Sequence, residues 1–206
     1  MKNMREFYQA KYKGSLFVVK AGGRIITDDK ARQSLLEDIR DLTTKGIKVL
    51  LVYGGGHAID DALEEAGIEP RKDKGRRITG SKEIEVVKKV LVADLGFRIA
   101  RNMAEMDLHG LCLNGLPAGW VNIGLRERES DDDYGYDGTI SEVYADQVRR
   151  VFDAINFVAT PCIGISYKNG VNINADNVAV AIAAGIQSRK LIFLSDVDGV
   201  MVGREA

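Results

Sequence analysis

The sequence predicts an α/β fold in which helices cover both faces of a mainly parallel sheet, and three observations support this class. Short runs rich in β-branched residues alternate along the chain with longer segments of helical periodicity. One such run, IKVLLVY at residues 47–53, is almost wholly apolar, as expected for a strand covered on both faces. Glycine clusters directly follow two of the predicted strands, which is typical of sharp strand-to-helix turns.

The first part of the chain contains a predicted βαβα unit. SLFVVK, residues 15–20, is the first strand, and the aspartates at 28–29 lead into a helix. The strand at 47–53 then runs through Gly54–Gly56 into a second helix. The predicted core positions are Ala31, Leu35, Leu36, Ile39 and Leu42 in the first helix, and Ile59, Leu63 and Ala66 in the second.

The middle of the chain is less regular. PRKDKGRRIT at 70–79 is basic and poor in apolar residues, which predicts a loop or a short hairpin. A long helix follows, with Ser81 as its expected cap, and GLCL at 110–113 is the next strand. Residues 114–146 are expected to form hairpins that project from the sheet. The apolar stripe of the long helix consists of Ile84, Val87, Leu91, Leu95 and Ile99, running towards Met103.

The last part of the chain returns to the parallel sheet. NFVATPCIG at 156–164 is a predicted strand, and Asn169-Gly170 is expected in a loop. NINADNVAVAIAAGI at 172–186 has an Ala/Val/Ile-rich end that predicts a buried helix, and KLIFLSDVDGVM at 190–201 predicts a final strand with a glycine-containing turn.

Composition and charge exclude several classes of protein. Of 206 residues, 45% are apolar and 29% are charged, which is unlike a disordered or fibrous chain. The net charge of -1 provides no global basic field for nucleic acid or an anionic membrane. No apolar run is long enough for a membrane span, and the N-terminus is too charged for a signal peptide, so we expect a cytoplasmic enzyme or binding domain. Cys112 and Cys162 are expected to be buried thiols, because no metal-like spacing of Cys or His accompanies them.

Two features near strand ends predict an anion site. Gly54–Gly56 ends one strand and opens a helix, so its backbone N–H groups and the positive end of the helix dipole face the same point. Lys20 ends the first strand and precedes Gly22-Gly23. Carboxyl ends of parallel strands share one edge, so Lys20 and the triglycine turn are expected to lie close together. A packing turn and a lysine that merely extends to solvent are the alternative interpretations.

Two polar motifs later in the chain leave further alternatives open. Asn172 and Asp176 either act with Asn174 as helix caps, or Asp176 orients lysine ammonium groups while Asn172 donates to a substrate, at a spacing of one helical turn. SDVDGV at 195–200 is consistent with magnesium coordination, with backbone contacts to a nucleotide, or with an ordinary turn.

The ordered set of motifs resembles the amino acid kinase family, and within it the N-acetylglutamate kinases. The resemblance covers nearly the whole chain from Leu16 and rests on VVKAGG, VYGGG, KGRRIT, GLCLNG, NINADNVA and LSDVDGV. It implies a three-layer αβα sandwich. It also implies transfer of a phosphoryl group from ATP, with Mg²⁺, to the side-chain carboxylate of N-acetyl-L-glutamate in arginine biosynthesis.

The resemblance assigns roles to matching positions. Lys20 would stabilise the transferring phosphoryl group and Asp176 would organise the lysines as the second catalytic residue. Gly55, Gly56, Arg77 and Asn172 would bind the acceptor, with Arg77 holding its α-carboxylate. No metal-ligating side chain is assigned. The expected nucleotide-binding residues are Asp196, Val197, Asp198, Gly199, Val200 and Met201.

The same resemblance predicts the organisation of the chain. Residues 1–14 would form an N-terminal helical extension of the kind through which some family members build larger rings, and residues 15–206 would form the kinase domain. Family members continue beyond the SDVDGV motif, so we expect a complete acceptor-binding half and only the start of the nucleotide-binding half. A homodimer or larger homo-oligomer is expected, without nucleic-acid or membrane partners.

Two alternative functions remain open at this point. Tyr53 and ADLGFRIAR at 93–101 resemble the kinase-like domain of acetylglutamate synthases, which would make the chain a regulatory, arginine-binding module. GYDGTISEV at 135–143 and ISYKNG at 165–170 resemble kinases whose acceptor is aminoadipate or glutamate on a carrier protein. The basic residues at 71–77 are suited to an acidic carrier.

Overall fold

A computed structural model describes residues 4–73, 75–126, 135–166 and 169–195 of the chain. Within these residues the strands are β1 Leu16–Ala21, β2 Lys48–Tyr53, β3 Lys72–Asp73, β4 Arg76–Arg77, β5 Leu111–Cys112, β6 Val121–Leu125, β7 Gly138–Val143, β8 Phe157–Pro161, β9 Ile163–Ser166, β10 Asn169–Asn172 and β11 Lys190–Leu194. The helices are α1 Met4–Tyr12, α2 Arg24–Thr27, α3 Asp29–Thr44, α4 Gly56–Glu65, α5 Ser81–Lys88, α6 Phe97–Glu105, α7 Ala145–Ala154 and α8 Ala175–Gly185, with a π-helical segment at Lys89–Gly96 between α5 and α6.

The central sheet has the strand order β11-β1-β2-β8-β5, and every neighbouring pair is parallel. Five of the six residues of β2 are buried, because β2 lies inside the sheet and its two faces are covered by different helices. The helix α3 and the π-helical segment pack on strands of this sheet, as does α8. The predicted α/β class with a parallel sheet flanked by helices is confirmed.

The helix α3 begins where the sequence indicates. Asp28 is its N-cap and accepts a hydrogen bond from the backbone N–H of Ala31 at 2.8 Å. Leu36 and Ile39 are buried on its inner face as predicted. The short helix α2 was not predicted, and neither was the burial of Arg32 in α3.

The predicted apolar stripe of the long helix is buried, but two details of the helix predictions were wrong. Ser81 is the first residue of α5 and not its cap, because Gly80 occupies that position. Ala66 is exposed, because α4 ends at Glu65. The π-helical segment at Lys89–Gly96 was also not predicted, since hydrophobic periodicity does not separate a short stretch of wider turns from the α-helical turns around it.

Three antiparallel hairpins surround the carboxyl edge of the sheet. The basic segment forms the β3–β4 hairpin, and the projecting region contains the β6–β7 hairpin, both in agreement with the sequence. The prediction of a loop at Asn169-Gly170 was wrong, because these residues pair with Ser166 and Ile165 in the β9–β10 hairpin. Part of the projecting region, including three consecutive aspartates at 131–133, and the predicted nucleotide-binding residues at 196–201 lie outside the described residues.

The two thiols differ in burial. Cys162 is buried as predicted, and burial raises the pKa of its thiol to about 12. Cys112 is only partly buried, so its prediction was half right, and its Sγ donates to the carbonyl of Gly96 at 3.4 Å. None of the described helices combines the length and apolar character that crossing a bilayer requires.

Candidate active site

A cleft of about 310 Å³ opens at the carboxyl edge of the sheet, where β1, β2 and β11 end. Lys20 of β1 and Gly54–Gly56 after β2 both line it. Their register explains this, because Lys20 is paired with Val52 and the triglycine turn begins only two residues later. The sequence prediction that these two features lie close together is confirmed by the geometry.

The floor of the cleft contains an ion pair between Lys20 and Asp176. Lys20 Nζ lies 2.9 Å from Asp176 Oδ1, and their side chains are 20% and 53% exposed. Asp176 is in the first turn of α8, and Asn174 caps that helix by accepting from the backbone N–H groups of Asp176 and Asn177 at 2.9 and 3.1 Å. Because Asn174 does the capping, the Asp176 carboxylate is left to orient the lysine.

Asn172 lies in the same cleft but not on the helix. It is the last residue of β10, so the expectation that Asn172 and Asp176 are one helical turn apart was wrong. The hairpin carries Asn172 to the wall of the cleft, where its Nδ2 donates to Thr79 Oγ1 at 3.4 Å. Its backbone N–H donates to the carbonyl of Tyr136, which ties this wall to the start of β7.

The triglycine turn has one packed glycine and one open glycine. A Cβ on Gly55 would lie 2.9 Å from Leu95 Cδ1 and 3.2 Å from Leu91 Cδ2, both in the π-helical segment. A Cβ on Gly56 would meet nothing within 4 Å. Gly55 therefore permits close packing of the turn on the helix beneath it. Gly56, the first residue of α4, leaves the helix N-terminus open to the cleft, where backbone N–H groups suit an anion.

Tyr53 supports this turn from below. Its side chain is fully buried and its hydroxyl donates to the carbonyl of Leu91 at 3.3 Å. Gly96 leaves room for the Tyr53 hydroxyl, because a Cβ on Gly96 would lie 2.9 Å from that oxygen. Burial raises the pKa of Tyr53 well above its usual range, so this hydroxyl stays protonated.

Arg77 is buried in the wall of the cleft with an unusual set of partners. Its Nη2 donates to the carbonyl of Gly56 at 3.0 Å, and its Nη1 lies 2.5 Å from Asp60 Oδ1. The guanidinium has five N–H donors, and these two contacts use two of them. A buried guanidinium with unused donor capacity next to a cleft fits a carboxylate ligand.

Asp137 is a further cleft residue that sequence reasoning missed. It is buried, and Arg126 Nε donates to its Oδ2 at 2.8 Å. Burial raises the pKa of the Asp137 carboxyl, and the hydrogen bond from Arg126 offsets this only in part. Its backbone pairs with Asn172, so Asp137 joins two walls of the cleft. No sequence pattern indicated it, because it is an isolated aspartate at the edge of a turn-rich segment.

The charges of the cleft favour an anionic ligand. Among its described lining residues, four cationic side chains face two carboxylates: Lys20, Lys72, Arg76 and Arg77 against Asp137 and Asp176. Arg77 and Asp137 are buried, which strengthens their electrostatic interactions relative to those of charges in water. In the described part of the chain, no group of three or more His, Cys, Asp or Glu could hold a metal ion. His57 lines the cleft as an exposed residue at the start of α4, whereas His109 is exposed elsewhere.

This fold and site define an α/β protein with a glycine-rich, cationic cleft at the carboxyl edge of a parallel sheet. The sequence profile of the amino acid kinase family matches residues 15–205. The chain therefore belongs to the amino acid kinase family, as its motifs indicated.

Curated relatives give the family context. The chain is 30% identical over 195 residues to an acetylglutamate kinase of Lactococcus lactis subsp. cremoris, covering 94% of this chain and 67% of the relative. Identity is 31% with the acetylglutamate kinase of Clostridium acetobutylicum and 34% with that of Chlorobium phaeobacteroides, covering 92% and 95% of this chain. The chain spans 66% and 64% of the length of these two relatives, or about two thirds.

Solved structures agree with the fold. N-acetylglutamate synthase from Neisseria gonorrhoeae, complexed with coenzyme A and N-acetyl-glutamate, superimposes with a TM-score of 0.83 at 22% identity. The match covers 95% of this chain and 45% of the synthase. Carbamate kinase from Giardia lamblia bound to AMP-PNP has a TM-score of 0.56 at 15% identity, covering 89% of this chain and 72% of that one. At these identities the likeness concerns the fold alone.

Proposed function

We propose that this chain is the acceptor-binding part of an acetylglutamate kinase, which transfers the γ-phosphoryl group of ATP to the side-chain carboxylate of N-acetyl-L-glutamate. The products are an acyl phosphate and ADP. The observation that carries the proposal is the buried Arg77 guanidinium, whose contacts with Gly56 and Asp60 use two of its five N–H donors, set in the same cleft as Lys20 and the triglycine turn. The names of the relatives support the choice of acceptor.

Different residues of the cleft would bind the two carboxylates of such an acceptor. Arg77 would hold the α-carboxylate, and Asn172 would contact the body of the acceptor. The N–H groups of Gly55 and Gly56 would stabilise charge near the reacting carboxylate. Lys20, held by Asp176, would neutralise charge on the transferring phosphoryl group. Phosphoryl transfer depends mainly on positioning and charge neutralisation, and it needs no protein nucleophile.

The phosphoryl donor of the proposed reaction is a nucleotide. ATP would supply the phosphoryl group with Mg²⁺, an ion that binds through substrate phosphates and one or two carboxylates. We further propose that residues 196–201 contact the nucleotide, that residues 1–14 form an extension ahead of the kinase domain, and that the protein acts in the cytoplasm as a homo-oligomer.

The proposal is tested by calorimetric titration of the 206-residue chain with N-acetyl-L-glutamate. Arg77→Ala is expected to weaken binding by roughly tenfold to a hundredfold, because a hydrogen bond to a charged group contributes about 1.5–3 kcal/mol. The matched control is Arg71→Ala, which removes an exposed arginine from the start of the same hairpin segment. Its affinity should equal that of the wild type.

Three results would count against the assignment. Equal affinity in Arg77→Ala would remove Arg77 from the acceptor site. Equal losses in both variants would indicate a general charge effect of the hairpin. A folded wild-type chain that binds L-arginine but not N-acetyl-L-glutamate would instead favour a regulatory domain.

A further inference from the structure

Arg77 is anchored to a single helix at two points one turn apart. The carbonyl of Gly56 accepts from Nη2 at 3.0 Å, and the carboxylate of Asp60 pairs with Nη1 at 2.5 Å. Gly56 and Asp60 are the first and fifth residues of α4, so they lie on the same face of the helix. The guanidinium is therefore fixed relative to the triglycine turn, which opens that helix.

Asp60 also holds the other strand of the hairpin. Its Oδ2 accepts from Lys72 Nζ at 2.7 Å, while its Oδ1 faces Arg77. Lys72 and Arg77 are directly opposite each other across the β3–β4 ladder. One carboxylate thus ties both strands of this two-stranded hairpin to α4. We call Asp60, Lys72 and Arg77 the Asp60 clamp.

Asp60 is neither a helix cap nor a surface ion-pair residue. Gly55, not Asp60, is the N-cap residue of α4. The side chain of Asp60 is 17% exposed and that of Arg77 is 5% exposed, so the pair is largely removed from solvent. Burial raises the pKa of the Asp60 carboxyl, but hydrogen bonds from Arg77 and Lys72 and their charges outweigh burial, so the pKa is lower than its usual value. Asp60 is therefore a permanent anion at neutral pH.

The next residue provides a contrast. Asp61 is exposed, whereas Asp60 is turned towards the hairpin. Two adjacent aspartates on one helix therefore have different surroundings, with similar local sequence and equal charge. Asp61→Asn is a matched control for any change made at Asp60.

We propose that Asp60 is a positioning residue that presets the Arg77 guanidinium for the acceptor's carboxylate. Asp60 acts through Arg77 and does not touch the acceptor. The clamp fixes the separation between Arg77 and the glycine turn before the ligand arrives, so that binding does not have to order the hairpin. This inference rests on the proposed function for the identity of the acceptor, but the geometry of the clamp does not depend on it.

The first arm of the test measures affinity for N-acetyl-L-glutamate in the 206-residue chain. Asp60→Asn is expected to weaken binding by roughly tenfold, as for the loss of one charge-assisted hydrogen bond. Asp61→Asn should bind like the wild type. In an Arg77→Lys background, which lacks the planar fork, Asp60→Asn should have a much smaller effect.

The second arm needs no ligand. Amide hydrogen exchange of residues 71–78 is compared in the wild type, Asp60→Asn and Asp61→Asn, with thermal unfolding as a check on the global fold. Faster exchange in this hairpin in Asp60→Asn alone, at a similar unfolding temperature, is the expected result.

The outcomes separate this inference from the proposed function. If the folded wild type does not bind N-acetyl-L-glutamate, the proposed acceptor is wrong and the exchange experiment alone decides the clamp. Unchanged exchange in Asp60→Asn would overturn the clamp in every case. Normal affinity in Asp60→Asn, or an equal loss in the wild-type and Arg77→Lys backgrounds, would overturn the positioning role.

Discussion

Among the described residues, two arginines are buried, and their surroundings differ in one respect. Arg32 is fully buried, and each of its three nitrogen atoms donates a hydrogen bond: Nε to Asn102 Oδ1 at 2.9 Å, Nη1 to the carbonyl of Ile26 at 2.8 Å and Nη2 to Asp29 Oδ1 at 2.6 Å. Arg77 is nearly as buried, yet its contacts among these residues, with the Gly56 carbonyl and the Asp60 carboxylate, engage Nη2 and Nη1.

The difference shows how to separate a structural cation from a binding cation. Arg32 connects α3 to α2 and α6, and its hydrogen bonds use all of its nitrogen atoms. A satisfied buried cation stabilises the fold and has little left to offer a ligand. Arg77 lines the cleft with unused donor capacity, so a ligand can complete its hydrogen bonds. Burial alone does not distinguish the two residues, whereas a count of hydrogen bonds does.

The largest effect expected from this comparison is on stability. Arg32→Met is expected to lower the free energy of unfolding by about 3 kcal/mol, because it leaves the Ile26 carbonyl and the Asn102 amide oxygen buried without their donor. Urea unfolding measures the change, with exposed Lys30→Met as the control. If Arg32→Met unfolds like the control, complete hydrogen bonding is not what marks a structural arginine here.

The two glycines of the turn repeat the contrast on a smaller scale. Gly55→Ala is expected to destabilise the protein by about 1–3 kcal/mol, since its Cβ would press on Leu95 and Leu91. Gly56→Ala has open space and should leave stability nearly unchanged while weakening acceptor binding. Thermal unfolding and titration of both variants measure the two effects. Equal destabilisation by both substitutions would contradict the division into a packed and an open glycine.

The sequence predicted much of the fold because its signals are local or periodic. The buried strand β2, the cap at Asp28 and the apolar stripe from Ile84 to Ile99 each follow from a repeating or short-range pattern. The proximity of Lys20 to the triglycine turn was predictable from the topology, because the carboxyl ends of parallel strands lie at the same edge of the sheet.

The remainder of the site depends on contacts between distant segments. Asp137 reaches the cleft only because its backbone pairs with Asn172, and Arg32 finds Asn102 seventy residues away in sequence. Asp60 had a weak signal, since it lies four residues after Gly56 and so shares its helix face. Nothing local indicated that a hairpin would fold back onto that face.

The smallest expected effect concerns two aspartate–arginine pairs, Asp60 with Arg77 and Asp137 with Arg126. The test is the direction in which the stability that each aspartate contributes changes with pH. In the folded chain the pKa of Asp60 is lowered from 3.8, so the stability it contributes is present above that value and is lost as the pH falls through the folded pKa. The pKa of Asp137 is raised from 3.8, mainly by burial, so its contribution is present below 3.8 and is lost as the pH rises through the folded pKa.

Asparagine substitutions at the two positions should therefore change with pH in opposite directions. As the pH rises, the stability lost in Asp60→Asn should increase at pH values below 3.8, and the stability lost in Asp137→Asn should decrease at pH values above 3.8, as measured by urea unfolding on both sides of that value. Asp61→Asn corrects for the general effect of removing one charge. The side chain of Asp137 is 4% exposed, against 17% for Asp60. Parallel trends would mean that this deeper burial does not control the ionisation of Asp137. Opposite trends would show that burial outweighs the arginine partner at Asp137 but not at Asp60, whose less buried carboxylate stays charged and pairs with Arg77 at neutral pH.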